Sequence, residues 1–225
     1  MKIRTIQALS PILESIHAEN RRLIIESRNA KHLHIFDMDG TLARTPEPTK
    51  ENRDLYRYHS RSRTNPRGTK PGDWLGDHKT LRHPFETHPI EHTLKNYHAA
   101  KQDPDSRVVV MTGRVHKPDM ADAVSLTLHK LGVRGHKHGE DLFLKPPRDK
   151  EKEKQKVVKT AEWKGHMLRK FHQEHPHLKH VTMWDDREEH LDHFRDVLHD
   201  LGVKHTLHHV KDPGWGSAEK TRYSS

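Results

Sequence analysis

Three observations in the amino-acid sequence predict an α/β fold with a mostly parallel, Rossmann-like sheet. Short apolar runs alternate with segments of helical period, an order that produces βαβ units and a sheet covered on both faces. Three polar groups stand directly after such runs: Asp37-Met38-Asp39-Gly40-Thr41, Thr112-Gly113-Arg114 and Asp185-Asp186-Arg187. In parallel sheets ligands bind beyond the carboxyl ends of the strands, so these groups fall where chemistry is expected. No internal repeat argues for another architecture.

Residues 11–28 place Ile12, Leu13, Ile16, Leu23 and Ile24 near helical spacing, which predicts a helix ahead of the core. His32–Phe36 is a short apolar run that stops at Asp37 and reads as a buried strand. Residues 43–85 carry Pro46, Pro48, Pro66, Pro71 and Pro84 with Gly68, Gly72 and Gly76, which predicts an irregular insert. A helix is expected over 87–101 through Ile90, Leu94 and Tyr97. Arg107–Met111 is the clearest strand, β-branched and bounded by turn residues. Helix over 120–131, ended by Gly132, and a short strand over 141–144 follow. The charge run 148–156 reads as a solvated loop or helix start. Beyond it come a helix through Trp163, Met167, Leu168 and Phe171, a strand over 180–184, a helix through Leu191, Phe194, Leu198 and Leu201, and a last strand over 203–210. The expected organisation is a helical extension over 1–30, one α/β domain over 31–210 with an insert over 43–106, and a frayed tail over 211–225.

Composition limits the partners and the chemistry. Leu, Ile, Val and Phe make up one fifth of the 225 residues, near the margin where burial stops offsetting chain entropy. The core must therefore come from the concentrated apolar runs. The absence of cysteine excludes disulfides, thiolate nucleophiles and cysteine-based zinc sites. A net charge of +9 favours polyanionic partners such as nucleic acid, and the 24 histidines would add to it in acid. No apolar stretch approaches the ~18–20 residues of a membrane-spanning helix. Nor does the amino terminus read as a secretory signal, so a cytoplasmic protein is expected. The oligomeric state is left open.

Two carboxylates at i and i+2 after a strand suit phosphoryl transfer. Asp37 can attack phosphorus and form an aspartyl-phosphate, while Asp39 protonates the departing alkoxide and later activates water. Like charges this close require a cation. Asp185 and Asp186, arriving on another strand, complete with Asp37 and Asp39 an oxygen cage suited to Mg²⁺. The Thr112 hydroxyl and Gly113 amide can hold phosphate oxygens, and a lysine would offset developing charge. Arg114 either binds the substrate phosphate or neutralises the acidic cluster. The plain alternatives are an Asx turn at Asp37 and Asp39, and helix capping at Thr112, Asp185 and Asp186. Trp74 either anchors the insert or stacks on a base, and the cationic run 57–70 could track a phosphate backbone. The histidine groups 205/208/209 and 175/177/180 lack the partners of a zinc site and read as surface.

FDMDGTL (Phe36–Leu42), VMTGR (Val110–Arg114), a downstream lysine and WDDR (Trp184–Arg187) resemble the four ordered motifs of the haloacid dehalogenase superfamily. Within it, Val157–Lys159 with Trp163-Lys164 and the DDR triplet resemble the phosphatase half of bacteriophage polynucleotide kinase-phosphatase. The Swiss Army Knife RNA repair-like phosphatase domains match more fully, through Leu42–Pro48, Gly72-Asp73-Trp74, Leu144–Pro146, Thr160–Lys164 and Trp184–His190. The chain departs from the phage enzymes at Lys154–Lys156, where they carry acidic residues. No kinase half is present, since Gly72–Thr80 lacks the spacing of a phosphate-binding loop. The resemblance implies a Mg²⁺-dependent phosphatase acting on nucleic-acid 3′-phosphate ends, RNA among them. It implies Lys159, preferred over Lys164, as the motif lysine. A small-metabolite or nucleotide phosphatase, and a nucleic-acid-binding module with a vestigial site, remain the alternatives.

Overall fold

The computed structural model describes residues 30–70, 74–147 and 159–212. In chain order its elements are β1 (His32–Phe36), β2 (Ala43–Arg44), α1 (Lys50–His59), a single 3-10 turn (His78–Leu81), β3 (His88–Pro89), α2 (Glu91–Gln102), β4 (Ser106–Val115), α3 (Pro118–Lys130), β5 (Leu142–Lys145), α4 (Thr160–Glu174), β6 (His180–Asp185), α5 (Glu188–Asp200) and β7 (Lys204–His209). Five strands form one parallel sheet in the order β5-β4-β1-β6-β7. β1, which ends at the Asp37 turn, is the middle strand, so its carboxyl end is flanked by those of β4 and β6.

Side chains alternate across the sheet, and both faces are covered, as parallel sheets require. Leu33, Ile35, Val109, Met111, Val181 and Met183 turn to one face and pack with Trp163, Leu168 and Phe171 of α4 and Leu191, Phe194 and Val197 of α5. Phe36, Val108, Val110 and Leu142 turn to the other and meet Leu94 and Tyr97 of α2 with Met120, Val124 and Leu128 of α3. Full burial of one such side chain contributes about 1.5–3 kcal/mol. This concentration is how a chain poor in aliphatic residues still builds a two-sided core.

The insert departs from the expected irregular segment. α1 occupies its first part, with Thr49 as the amino-terminal cap accepting from the Asn52 amide at 3.2 Å. Only Tyr56 of this helix is buried, which is why no apolar period marked it in the sequence. Tyr56, Trp74 and Phe85 form a small separate core. Trp74 is an anchor, buried and donating from Nε1 to the Pro46 carbonyl at 2.7 Å. An antiparallel ladder of β2 and β3 pairs Ala43 with Pro89 and Arg44 with His88, clamping the two ends of the insert together.

Two boundaries also differ. β4 runs on through Thr112-Gly113-Arg114 to Val115 instead of stopping at Met111. Its pairing with β5 shifts between Thr112 and Val115, so Gly113 and Arg114 lie in a bulge, a device that re-aims side chains. At the other end, Asp212 does not belong to a frayed tail: Arg44 Nε and Nη2 donate to its carboxylate at 2.6 and 2.7 Å. The helix expected over 11–28, the charge run 148–156 with Val157-Val158, and residues 213–225 lie outside the described residues.

Candidate active site

After β1 the chain turns sharply, with the Met38 carbonyl accepting from the amides of Leu42 and Ala43 at 3.1 and 2.9 Å. The turn sends Asp37 and Asp39, two residues apart, to different partners. Asp37 is anchored through its amide, which donates to the Trp184 carbonyl at 3.0 Å, tying β1 to the end of β6.

On the β6 side, Lys164 of α4 is fully buried and its ammonium is shared between two carboxylates. Nζ lies 2.5 Å from Asp37 Oδ1 and 2.7 Å from Asp185 Oδ2. Asp185 Oδ1 accepts from the Arg187 amide at 3.0 Å and from His190 Nδ1 at 3.0 Å; because a carboxylate accepts, Nδ1 carries the proton. Burial pushes the Asp37 carboxyl up to about 6, with Lys164 opposing and Asp185 and Asp39 adding to the rise. Burial acts on Asp185 in the same sense, yet the Lys164 ammonium and the His190 bond outweigh it and hold Asp185 well below the usual carboxylate range. Lys164 is raised above the ordinary lysine value, because Asp185 and Asp37 together overcome the penalty of burial.

On the β4 side, Arg114 is buried and turns two of its three guanidinium nitrogens to Asp39. Nη2 donates to Oδ1 at 2.7 Å and Nε donates at 3.1 Å, while Nη1 donates to the Leu75 carbonyl of the insert at 3.0 Å. The Thr45 hydroxyl donates to Asp39 Oδ1 at 2.7 Å and the Thr112 hydroxyl to Oδ2 at a longer 3.3 Å. Burial would raise the Asp39 carboxyl, but Arg114 and the two hydroxyls more than reverse it and hold it below its ordinary value.

The sequence-expected residues Asp37, Asp39, Thr112, Gly113, Arg114, Asp185 and Asp186 thus gather at the carboxyl ends of β1, β4 and β6. Gly113 sits against the start of α4, where a Cβ would lie 2.9 Å from Thr160 Cγ2, so only glycine fits there without displacement. Lys159 is not with them. It is exposed at the amino-terminal cap of α4, and Lys164, inside that helix, fills the position at Asp37. The preference for Lys159 fails because helix phase, not order in the chain, decides which lysine points at the sheet. Thr45 and His190 belong to the motifs quoted above but carried no assigned role. Their bonds to Asp39 and Asp185 become visible only when the insert and α5 are in place.

Asp37, Asp185 and Asp186 each offer an oxygen within 4.8 Å of the others, among the described residues a unique grouping of acidic or histidine ligands. Three carboxylates so close together, two of them sharing the Lys164 ammonium, form an oxygen donor set that fits a hard divalent cation such as Mg²⁺. Asp39, expected as a fourth ligand, is outside that group with its carboxylate turned to Arg114.

A parallel sheet of this order, with its acidic residues and buried lysine at the strand ends, defines a HAD-type domain. The chain belongs to HAD domain family 1 of Swiss Army Knife RNA repair proteins, whose model matches residues 45–213, well over half of the sequence. The matched stretch begins after Asp37 and Asp39 and includes Thr45, Thr112, Arg114, Lys164 and Asp185. Among solved structures, the chain is similar to the HAD domain of effector protein Lem4 from Legionella pneumophila, at 15% identity over 86% of this chain and 93% of that one, with a TM-score of 0.39. The inactive mutant of the same domain gives 14% identity over 85% and 91%, with a TM-score of 0.38. No curated protein matches the sequence. Among the described residues no helix is long and apolar enough to cross a membrane.

Proposed function

We propose that this protein is a Mg²⁺-dependent phosphomonoesterase working through an aspartyl-phosphate, and that its substrates are 3′-phosphate ends of nucleic acid, RNA above all. The observation that carries the reading is the division of labour between Asp37 and Asp39. One buried carboxylate faces a lysine and an acidic ligand set, and the other, two residues on, faces an arginine. The family's association with RNA repair and the net charge of +9 support the choice of polyanionic substrate.

In this reading an Asp37 oxygen attacks phosphorus as the bond to the leaving alkoxide breaks, and Asp39 gives that alkoxide its proton. Asp39 then takes a proton from water, whose oxygen attacks phosphorus and breaks the bond to Asp37, releasing inorganic phosphate. Arg114 holds Asp39 ionised in the free protein, so the proton that Asp39 gives the alkoxide is taken up from solvent as substrate binds, and the carboxylate left by that transfer is the form the base step requires. An incoming phosphate dianion draws on the same guanidinium and loosens its hold on Asp39, which favours the protonated form needed for the acid step. The long Thr112 bond to Asp39 is readily exchanged for a phosphate oxygen, and the Gly113 amide is its neighbour in the bulge. Lys164 orients Asp37 and offsets the charge gathering on the phosphoryl group. When held by Asp37, Asp185 and Asp186, Mg²⁺ supplies the positive charge that screens a carboxylate nucleophile from an anionic phosphate.

The test is phosphate release from a 3′-phosphorylated oligonucleotide beside a 3′-mononucleotide, each with Mg²⁺ and with EDTA. Faster turnover of the oligonucleotide that stops in EDTA is expected. Equal or faster turnover of the mononucleotide would remove the end-repair assignment, and activity in EDTA would remove the cation.

A further inference from the structure

The insert carries a feature that the reaction does not use. From Arg57 to Lys70 the chain reads RYHSRSRTNPRGTK, five cations with no carboxylate. The run forms a fixed loop folded back on the end of α1. The Ser60 hydroxyl accepts from the Thr69 amide at 2.6 Å and donates to the Arg57 carbonyl at 3.0 Å, and the backbones of Ser62 and Asn65 exchange two bonds of 3.1 Å. Gly68 closes the loop at φ 72°, and a Cβ there would stand 2.0 Å from the Arg57 carbonyl oxygen, so the position requires glycine twice over.

The cations of this loop point outward. Arg61, Arg63, Arg67 and Lys70 are exposed and make no ion pair among the described residues. Tyr58 beside them is 62% exposed, one of two large apolar side chains left in solvent among the described residues. The Arg61 guanidinium lies over its ring at 5.4 Å, which extends a flat π surface with positive charge. The base of this surface is tied to the reaction site. Tyr56, on the buried face of α1, bonds to Asp77, and the adjoining segment presents the Leu75 carbonyl to Arg114, the partner of Asp39.

We infer that the Arg57–Lys70 loop is a contact surface for single-stranded nucleic acid, holding the strand that trails from the phosphorylated end while that end occupies the Asp37 site. The inference rests on the nucleic-acid reading above and names the part of the molecule that enforces it. An array of outward arginines beside an exposed aromatic ring matches the way single strands are held without sequence preference, by backbone charge and base stacking. An anionic membrane would use the same charge, but the run offers a single tyrosine ring among Ser, Thr and Asn and no apolar face to insert. The fixed backbone also presents the arginines in one arrangement, which lowers the entropy lost on binding.

The experiment is fluorescence anisotropy of a short single-stranded RNA with a 3′-phosphate, titrated with the full chain in a D37N background so that the probe persists. The triple substitution Arg61→Ala, Arg63→Ala, Arg67→Ala is expected to weaken binding at least tenfold, and the salt slope should become shallower by about 2, at ~0.7 per phosphate contact on a single strand. Tyr58→Ala should cost about fivefold with the slope kept, since stacking carries no counterion. Gly68→Ala keeps every charge but breaks the loop, and at least a threefold loss is expected. Wild-type affinity and slope in the triple variant would overturn the inference. So would binding to phosphatidylserine vesicles, lost in the triple variant, by a protein that does not bind RNA. A wild type that releases no phosphate from RNA ends, while the loop variants still lose RNA affinity, would sink the phosphatase reading and leave this surface standing.

Discussion

The two halves of the site solve one electrostatic problem in opposite ways. Asp39 meets Arg114 in a forked pair, one negative charge against one positive, and its carboxyl is held low. Asp37 shares a single ammonium with Asp185, and burial leaves its carboxyl raised to about 6. The Asp39 side is matched charge for charge, whereas on the Asp37 side, among the described residues, one ammonium is shared by two carboxylates. In the proposed reading that sharing is what leaves the Asp37 side a place for a cation and an anionic substrate, while the paired Asp39 side keeps a proton carrier in register.

The sharpest way to break this contrast is Asp37→Asn, which should reduce phosphate release to background while circular dichroism stays native. A residual rate above a tenth of wild type would remove the nucleophile assignment. Next comes Lys164→Ala, which strips from two buried carboxylates the ammonium they share. Breaking a buried pair in this way costs about 3–5 kcal/mol, read as a lower urea midpoint, and Mg²⁺ should restore part of it. No change in the midpoint would mean that Lys164 is not what neutralises the pair. Arg114→Lys probes the other half. A lysine supplies a point charge in place of a fork, so kcat should fall about 10–100-fold with the fold kept, and a rate near wild type would show that the forked geometry is irrelevant.

The pH dependence of the cation-free protein should carry both signs. The Asp37 carboxyl is raised above its ordinary 3.8, so its contribution favours the fold at low pH and is lost as pH rises through about 6. Asp39 and Asp185 are depressed, so theirs is present above the ordinary carboxylate range and lost on acidification. The gain in melting temperature on adding Mg²⁺ to EDTA-treated protein should therefore grow between about pH 5 and 7, as Asp37 ionises. A gain that is flat across this range would contradict the raised carboxyl. The smallest effect belongs to Thr45→Ala, which removes one hydrogen bond to a charged group, worth about 1.5–3 kcal/mol in stability or severalfold in rate. A variant indistinguishable from wild type would leave Asp39 to Arg114 and Thr112.

Local chemistry was legible in the sequence wherever it depended on the order of residues. The runs His32–Phe36 and Arg107–Met111 announced a parallel sheet, and the polar groups after them, Asp37-Met38-Asp39 and Thr112-Gly113-Arg114, marked the edge where chemistry was expected. What depended on distant partners was not legible. α1 buries a single tyrosine against Trp74 and Phe85, so it has almost no apolar period of its own. Lys159 and Lys164 both follow the second motif, and only the rotation of α4 against the sheet turns one toward Asp37 and leaves the other in solvent. Arg114 stood between two roles until the β4 bulge aimed it at Asp39. By itself the sequence determined the fold class and the end of the sheet at which the acidic groups gather, because apolar period and turn chemistry are properties of neighbouring residues. Tertiary structure alone decided which cation answers which carboxylate, because a charge buried in low dielectric is governed by whatever lies within a few ångströms, and those neighbours come from segments far apart in the chain.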